Sequence, residues 1–151
     1  LRTERIDETG RLDEEYFKEG FPLTEDEKIR IYQKDVREIQ LAKSAIRAGM
    51  ETLIRKYQVS CEDIDQMYIA GGFGYKLDIE KAVQIGLLPE ECKEKITAVG
   101  NSSLQGAKKS LETDDAKARW ESLVRHSEEI ELASSKEFQE LYMEHMLFPE
   151  E

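Results

Sequence analysis

The feature that most restricts this chain is a local grammar written twice: a short apolar run, an abrupt turn, then a helical pattern. Met67-Tyr68-Ile69-Ala70 breaks into Gly71-Gly72-Phe73-Gly74, and Ile96 to Val99 breaks into Gly100-Asn101-Ser102-Ser103. Short strands that run at once into amphipathic helices are the mark of an α/β fold. After the first turn, Asp78 is placed to cap a helix through Ile79, Ala82 and Val83, which Gly86 closes and Pro89 stops. After the second, Leu104, Ala107 and Leu111 read as the inner face of a helix. Ala116, Trp120, Leu123 and Val124 read as that of another, begun at Thr113-Asp114.

Upstream, Ile29 to Tyr32 reads as a short strand that leads into the longest helix. Asp35 and Glu38 form a capping-box pattern, and Val36, Ile39, Ile46, Met50, Leu53 and Tyr57 recur at helical spacing as its inner face. Residues 1–28 read as an irregular surface segment, with a turn at Asp7-Glu8-Thr9-Gly10 and breaks at Gly20 and Pro22. Near the end, Glu129 to Ala133 reads as a last strand. Ser134-Ser135 then caps a helix lined by Phe138, Leu141, Tyr142 and His145, so that 134–149 forms a terminal docking helix closed by Met146-Leu147-Phe148-Pro149. The whole of 1–151 is read as one domain.

Composition narrows the function classes. The net charge of −11 argues against nucleic acid, whose phosphates demand Lys and Arg. The charge is uneven: residues 1–31 carry 6 basic and 10 acidic side chains, 32–125 carry 15 of each, and 126–151 carry 1 and 8. A small anion held by the neutral middle would meet little repulsion. No apolar run approaches the roughly 18 to 20 residues that cross a bilayer, and the amino end carries no apolar signal region. A soluble, cytoplasmic protein is expected, without a membrane. At 151 residues a core can form without metal or disulfide. Cys61 and Cys92 lack the spacing of a zinc or iron–sulfur site.

Two turns carry the chemistry. Glycines let backbone amides approach a bound group, and Gly71-Gly72-Phe73-Gly74 stands between a strand and a helix start. It is not a Walker loop, since no Gly-Lys-Ser/Thr follows, nor the dinucleotide fingerprint, since Leu77 stands where the third glycine belongs. Taken alone, the loop is better explained as a tight turn that uses its glycines for positive φ. At Gly100-Asn101-Ser102-Ser103 the amides and polar side chains suit phosphate or ribose, and they suit ordinary helix capping as well. If both turns end neighbouring strands they share one crevice, as ligand sites in open α/β sheets do. His126, His145, Glu128-Glu129 and Asp114-Asp115 form no triad, metal box or carboxylate dyad.

Four segments taken together carry a resemblance: Gln33-Lys34-Asp35-Val36-Arg37-Glu38-Ile39-Gln40-Leu41-Ala42-Lys43, Tyr68 to Gly74, Ile85-Gly86-Leu87-Leu88-Pro89, and Val99 to Ala107. Their order and spacing resemble the carboxyl-terminal region of the reductive activators of corrinoid proteins, over nearly the whole chain. The resemblance implies part of an actin-like, ribonuclease-H-like ATPase lobe, from the superfamily of acetate and sugar kinases, heat-shock chaperones and actin. Gly71, Gly72, Phe73 and Gly74 then match the place of the adenosine motif. Asn101, Ser102 and Ser103 lie in the region like the second connecting helix, and Gln33, Lys34 and Arg37 are where base or ribose contacts are expected. Leu1-Arg2-Thr3 with Ile6 to Gly10 resembles the tail of the helix after the second phosphate loop.

For the parent protein the resemblance implies ATP or ADP with magnesium, a [2Fe–2S] cluster in an amino-terminal domain not present here, and reduction of a Co(II) corrinoid protein to Co(I). No cofactor is expected to be held by this chain alone, which reads as a piece of a longer protein that binds adenine nucleotide weakly or not at all and does not turn it over. Homodimerisation is left open. Two rivals stand beside it. One is an activator of a radical dehydratase from the same superfamily, against which the missing cysteine pattern counts. The other is a docking module that uses the acidic, apolar ending Tyr142 to Phe148.

Overall fold

A computed structural model describes residues 5–149. In chain order the elements are α1 (Glu14–Phe17), β1 (Phe21–Pro22), β2 (Arg30–Ile31), α2 (Gln33–Lys56), β3 (Met67–Ala70), α3 (Gly72–Tyr75), α4 (Ile79–Gln84), a 3-10 helix (Glu90–Lys95), β4 (Ile96–Gly100), α5 (Ser102–Glu112), α6 (Ala116–Arg125) and α7 (Lys136–Glu144). β1 and β2 pair antiparallel, while β3 and β4 pair parallel with Met67 opposite Ile96 and Ala70 opposite Gly100. The crossover between the parallel strands carries α3, α4 and the 3-10 helix, the covering such a pair requires.

The core has two clusters. Ala82, Val83, Leu87, Leu88 and Ile96 gather Met50, Met67, Ile69 and Leu77 around them, so α4 covers one face of the parallel pair. Leu12, Val36 and Phe148 form the second, and Ile85 packs on both. The segment 1–28, expected to be irregular surface, therefore contributes a core residue. Leu12 is 1% exposed, and Ile6 bridges it across the Asp7–Gly10 turn. That bridge and turn replace the helix tail read at Ile6 to Gly10; Leu1-Arg2-Thr3 lies outside the described residues.

α2 starts two residues before Asp35. Tyr32 precedes it, and the Asp35 carboxylate reaches back to accept from the Tyr32 backbone N–H at 2.8 Å, one half of a capping box. Its buried face is also not the apolar stripe expected. Val36 is buried, but Ile39, Ile46, Leu53 and Tyr57 face outward, and Gln40, Lys43, Ser44 and Thr52 are buried in their place.

Two further caps follow the sequence, whereas the start expected at Thr113-Asp114 does not: α6 begins at Ala116 after Asp115, without a side-chain cap, and the Thr113 hydroxyl donates back to the Lys109 carbonyl. Asp78 accepts from the Lys81 backbone N–H at 3.1 Å, a bond that holds its carboxyl below the ordinary range. Ser135 accepts from the Phe138 N–H at 3.3 Å and opens α7. The strand expected at Glu129 to Ala133 is absent. That stretch has no regular structure and ends in a turn closed by the Ser135 N–H on the Leu132 carbonyl, with Leu132 3.5 Å from the space a side chain on Gly49 would take; among the described residues no strand pairs with it. The faces expected to be buried on α5 and α6 lie open, Leu104, Leu111, Trp120, Leu123 and Val124 among them.

Candidate functional site

Parallel pairing brings the two turns together. Ala70 stands opposite Gly100, a register shift falls at Ile69/Ala70, and the Gly71 N–H donates to the Gly100 carbonyl at 2.6 Å. Both strands therefore turn out of the sheet side by side at its carboxyl-terminal edge, where α/β folds place ligands.

The glycines there serve different ends. Gly71 at φ 98° and Gly100 at φ 69° occupy the left-handed region, which disfavours side chains. A Cβ on Gly74 would lie 2.5 Å from Ile69 Cγ2, so Gly74 lets α3 fold back on β3. Gly72 has neither reason. Its φ is ordinary and a Cβ there would meet nothing within 4 Å. The space over Gly71 and Gly72 is open, so their amides can be approached closely. The Phe73 side chain lies outside the described residues.

In the neighbouring turn Asn101 caps α5, its side-chain oxygen accepting from the Leu104 N–H at 2.9 Å. The Ser102 and Ser103 hydroxyls are exposed beside it. Gly106 faces α6, where a Cβ would touch the Trp120 ring at 3.8 Å. Trp120 Nε1 donates to Ser110 Oγ at 2.8 Å, tying α5 to α6.

The start of α2 is occupied differently. Gln33 Oε1 accepts from the Leu12 N–H at 2.9 Å and its Nε2 donates to the Gly10 carbonyl at 2.7 Å, so this amide holds the first segment of the chain. Lys34 Nζ lies 5.8 Å from the centre of the Tyr32 ring, and Arg37 is exposed.

Sequence reasoning missed the polar clamp in the middle of α2. Gln40 Nε2 donates to the carbonyls of Thr9 at 3.0 Å and Met146 at 2.7 Å. Lys43 Nζ donates to those of His145 at 2.6 Å and Leu147 at 2.5 Å, and sits 5.0 Å from the Phe148 ring. These carbonyls follow α7, whose dipole favours a cation there. Burial, with Arg47 nearby, lowers the Lys43 ammonium to about 8. About two turns further on, Glu51 takes His145 Nε2 at 2.8 Å and Arg55 at 2.6 Å. Burial opposes its ionisation, and those two bonds outweigh it, leaving the carboxyl below its ordinary range.

Cys61 and Cys92, whose spacing fits no zinc or iron–sulfur site, form a disulfide with Cα atoms 5.4 Å apart. They stand 31 positions apart in sequence, and the fold brings them within bonding reach. Among the described residues no group of three or more His, Cys, Asp or Glu side chains could hold a metal, and no helix is long and apolar enough to cross a membrane.

The parallel pair, its covering helices and the two turns at one edge form an α/β arrangement, and the comparisons identify it as part of an actin-like ATPase lobe. A solved chain titled reductive activator for corrinoid, iron–sulfur protein matches with a TM-score of 0.83 and 33% identity over 99% of this chain and 26% of its own length. The family model described as the C-terminal domain of RACo, the ASKHA domain, matches residues 1–151, and the chain belongs to that family. It is 37% identical over 120 residues to the corrinoid activation enzyme RamQ of Eubacterium limosum, covering 80% of this chain and 20% of RamQ. It is 32% identical over 120 residues to the [Co(II) methylated amine-specific corrinoid protein] reductase of Methanosarcina barkeri, covering 76% and 22%. The chain thus spans about a fifth to a quarter of the length of these proteins.

Proposed function

We propose that this chain supplies the adenosine side of the nucleotide site in an ATP-dependent activator that reduces a Co(II) corrinoid protein to Co(I). The observation that carries the reading is the open space above Gly71 and Gly72 beside the Asn101–Ser103 turn, at the shared edge of β3 and β4. Gly72 is the most telling residue, because neither its backbone angle nor its neighbours demand a glycine. Gly71, Gly72 and Gly74 form the close-approach surface, and Asn101, Ser102 and Ser103 supply amides and hydroxyls to a ribose or phosphate. Phe73 borders them in sequence. Gln33 acts in this reading by placing the start of α2, from which Lys34 and Arg37 reach the nucleotide.

When bound in the longer protein, ATP with magnesium would supply the free energy for an uphill electron transfer through differential binding to two conformations. The electron carrier, a [2Fe–2S] cluster, lies outside this chain, whose two cysteines are bonded to each other. The corrinoid-protein partner follows from what the relatives' names say they act on. The rest of the longer protein would cover the open face of the β3–β4 pair, where Tyr68 is 66% exposed, since parallel strands are ordinarily covered on both faces.

The docking-module alternative loses ground on one point. Met146 and Phe148 of the apolar ending are buried in the chain's own core, which leaves Met143 and Leu147 outward. Calorimetric titration of the chain and of Gly72→Asp with Mg-ADP tests the reading. Weak adenine-specific heat that vanishes in a folded Gly72→Asp protein supports it; equal heat from both contradicts it.

A further inference from the structure

We propose that Cys61 and Cys92 are a reversible redox site, a dithiol that closes into an intramolecular disulfide and thereby clamps the segment bearing the Gly71–Gly74 turn. The inference does not depend on what that turn binds. It rests on three observations.

The first is that the two residues are held opposite each other by bonds that involve no sulfur. Lys95 Nζ donates to the carbonyls of Cys61 at 2.6 Å and Glu62 at 3.0 Å. Gln66 Nε2 donates to the Lys95 carbonyl at 2.6 Å and Thr97 Oγ1 at 2.7 Å, and Asp63 closes the turn onto the Ser60 N–H and hydroxyl at 2.8 Å each. With the sulfurs reduced, these contacts keep the Cα atoms near their 5.4 Å separation, inside the bridging range. Two thiols so placed react as neighbours, at high effective concentration.

The second is an asymmetry of access. Cys92 is fully buried, whereas Cys61 is partly exposed and lines a cleft of about 610 Å³ with Ser60, Glu62, Pro89 and Glu91. A low-molecular-weight disulfide can reach Cys61 alone. The Cys61 thiolate attacks it and expels one thiolate. The Cys92 thiolate then attacks Cys61 Sγ and expels the second, so the pair loses two protons and two electrons and the oxidant becomes two thiols. Reduction runs the same path backwards through Cys61, the partly exposed member of the pair.

The third is what the bond encloses. Residues 61–92 contain β3, α3 and α4 entire, and the bond ties the approach to β3 to the 3-10 helix before β4. Closing it restricts opening of the segment without touching the α2–α7 clamp.

The chain equilibrated with graded mixtures of reduced and oxidised glutathione, acid-quenched, alkylated and weighed by mass spectrometry, tests this. Both thiols should disappear together into a monomer lighter by two hydrogens, and return together on reduction of the folded protein. Cys92→Ala should accumulate a glutathione adduct on Cys61, and Cys61→Ala should leave Cys92 unmodified. Amide exchange in 67–70 and 79–84 should slow by roughly fivefold or more on oxidation, with 136–144 changing by less than about twofold. A bond that yields only after unfolding, adducts on Cys92, or exchange unchanged by oxidation would each overturn the proposal.

Discussion

Helices α2 and α5 carry similar apolar periodicity and meet opposite fates. α2 is locked to α7 and to both ends of the described chain by Gln40, Lys43 and the Glu51–His145 pair, and it buries polar side chains while Ile39, Ile46 and Leu53 stay more than 40% exposed. α5 and α6 bury no residue at all, and Leu111 is 90% exposed. The difference teaches that spacing makes a helix, whereas the available partner decides which face is covered. Beside α2 that partner is a peptide segment that aims backbone carbonyls at the helix, which rewards the donors of Gln40 and Lys43 over a leucine.

The largest effect that can break this contrast is a cavity on one side of it. Leu141→Ala, at a position 2% exposed on α7, should cost about 2–5 kcal/mol in denaturant unfolding, and Leu111→Ala on α5 no more than about 0.5 kcal/mol. Equal costs would mean that the two regions are packed alike. Next comes the covalent tie. Opening a bridge across 31 residues should lower stability by about 3–4 kcal/mol in reducing buffer, and Cys61→Ala should remove the dependence on reductant.

The Lys43 clamp gives a pH signature. Its ammonium is lowered to about 8 from 10.5, so between those values the unfolded chain binds more protons than the folded one, and stability rises with pH. The expected gain is about 1–3 kcal/mol over that window relative to Lys43→Met, read as the difference between the two unfolding curves. A difference that falls with rising pH would show the ammonium to be stabilised by its site. Smaller still is the contrast within the glycine turn. Gly74→Ala should cost about 1–2 kcal/mol by driving a methyl into Ile69, while Gly72→Asp should change the unfolding free energy by less than about 1 kcal/mol.

Much of the local grammar was legible. Asp78 and Ser135 cap where their short polar side chains stand before apolar runs, and the two strand–turn–helix units appear where Met67 and Ile96 begin them. What escaped was long-range. Gln40 and Lys43 look like solvent residues until the carbonyls of 145–147, more than 100 residues away, come to meet them. Leu12 sits in a charged stretch, yet turns inward because a hairpin folds it over α2. Glu129 to Ala133 has a strand's alternation but no strand beside it. At the site, the sequence held both turns, and only the parallel register of β3 and β4 reveals that they are neighbours.

The measurement that tests the central claim most directly is paramagnetic broadening of backbone amides by Mn-ADP, which registers even fractional occupancy of a weak site. The account predicts broadening centred on Gly71–Gly74 and Asn101–Ser103, absent with Mn-GTP, lost in Gly72→Asp and sparing α7. Broadening centred elsewhere on the chain, or none at either turn, would contradict it.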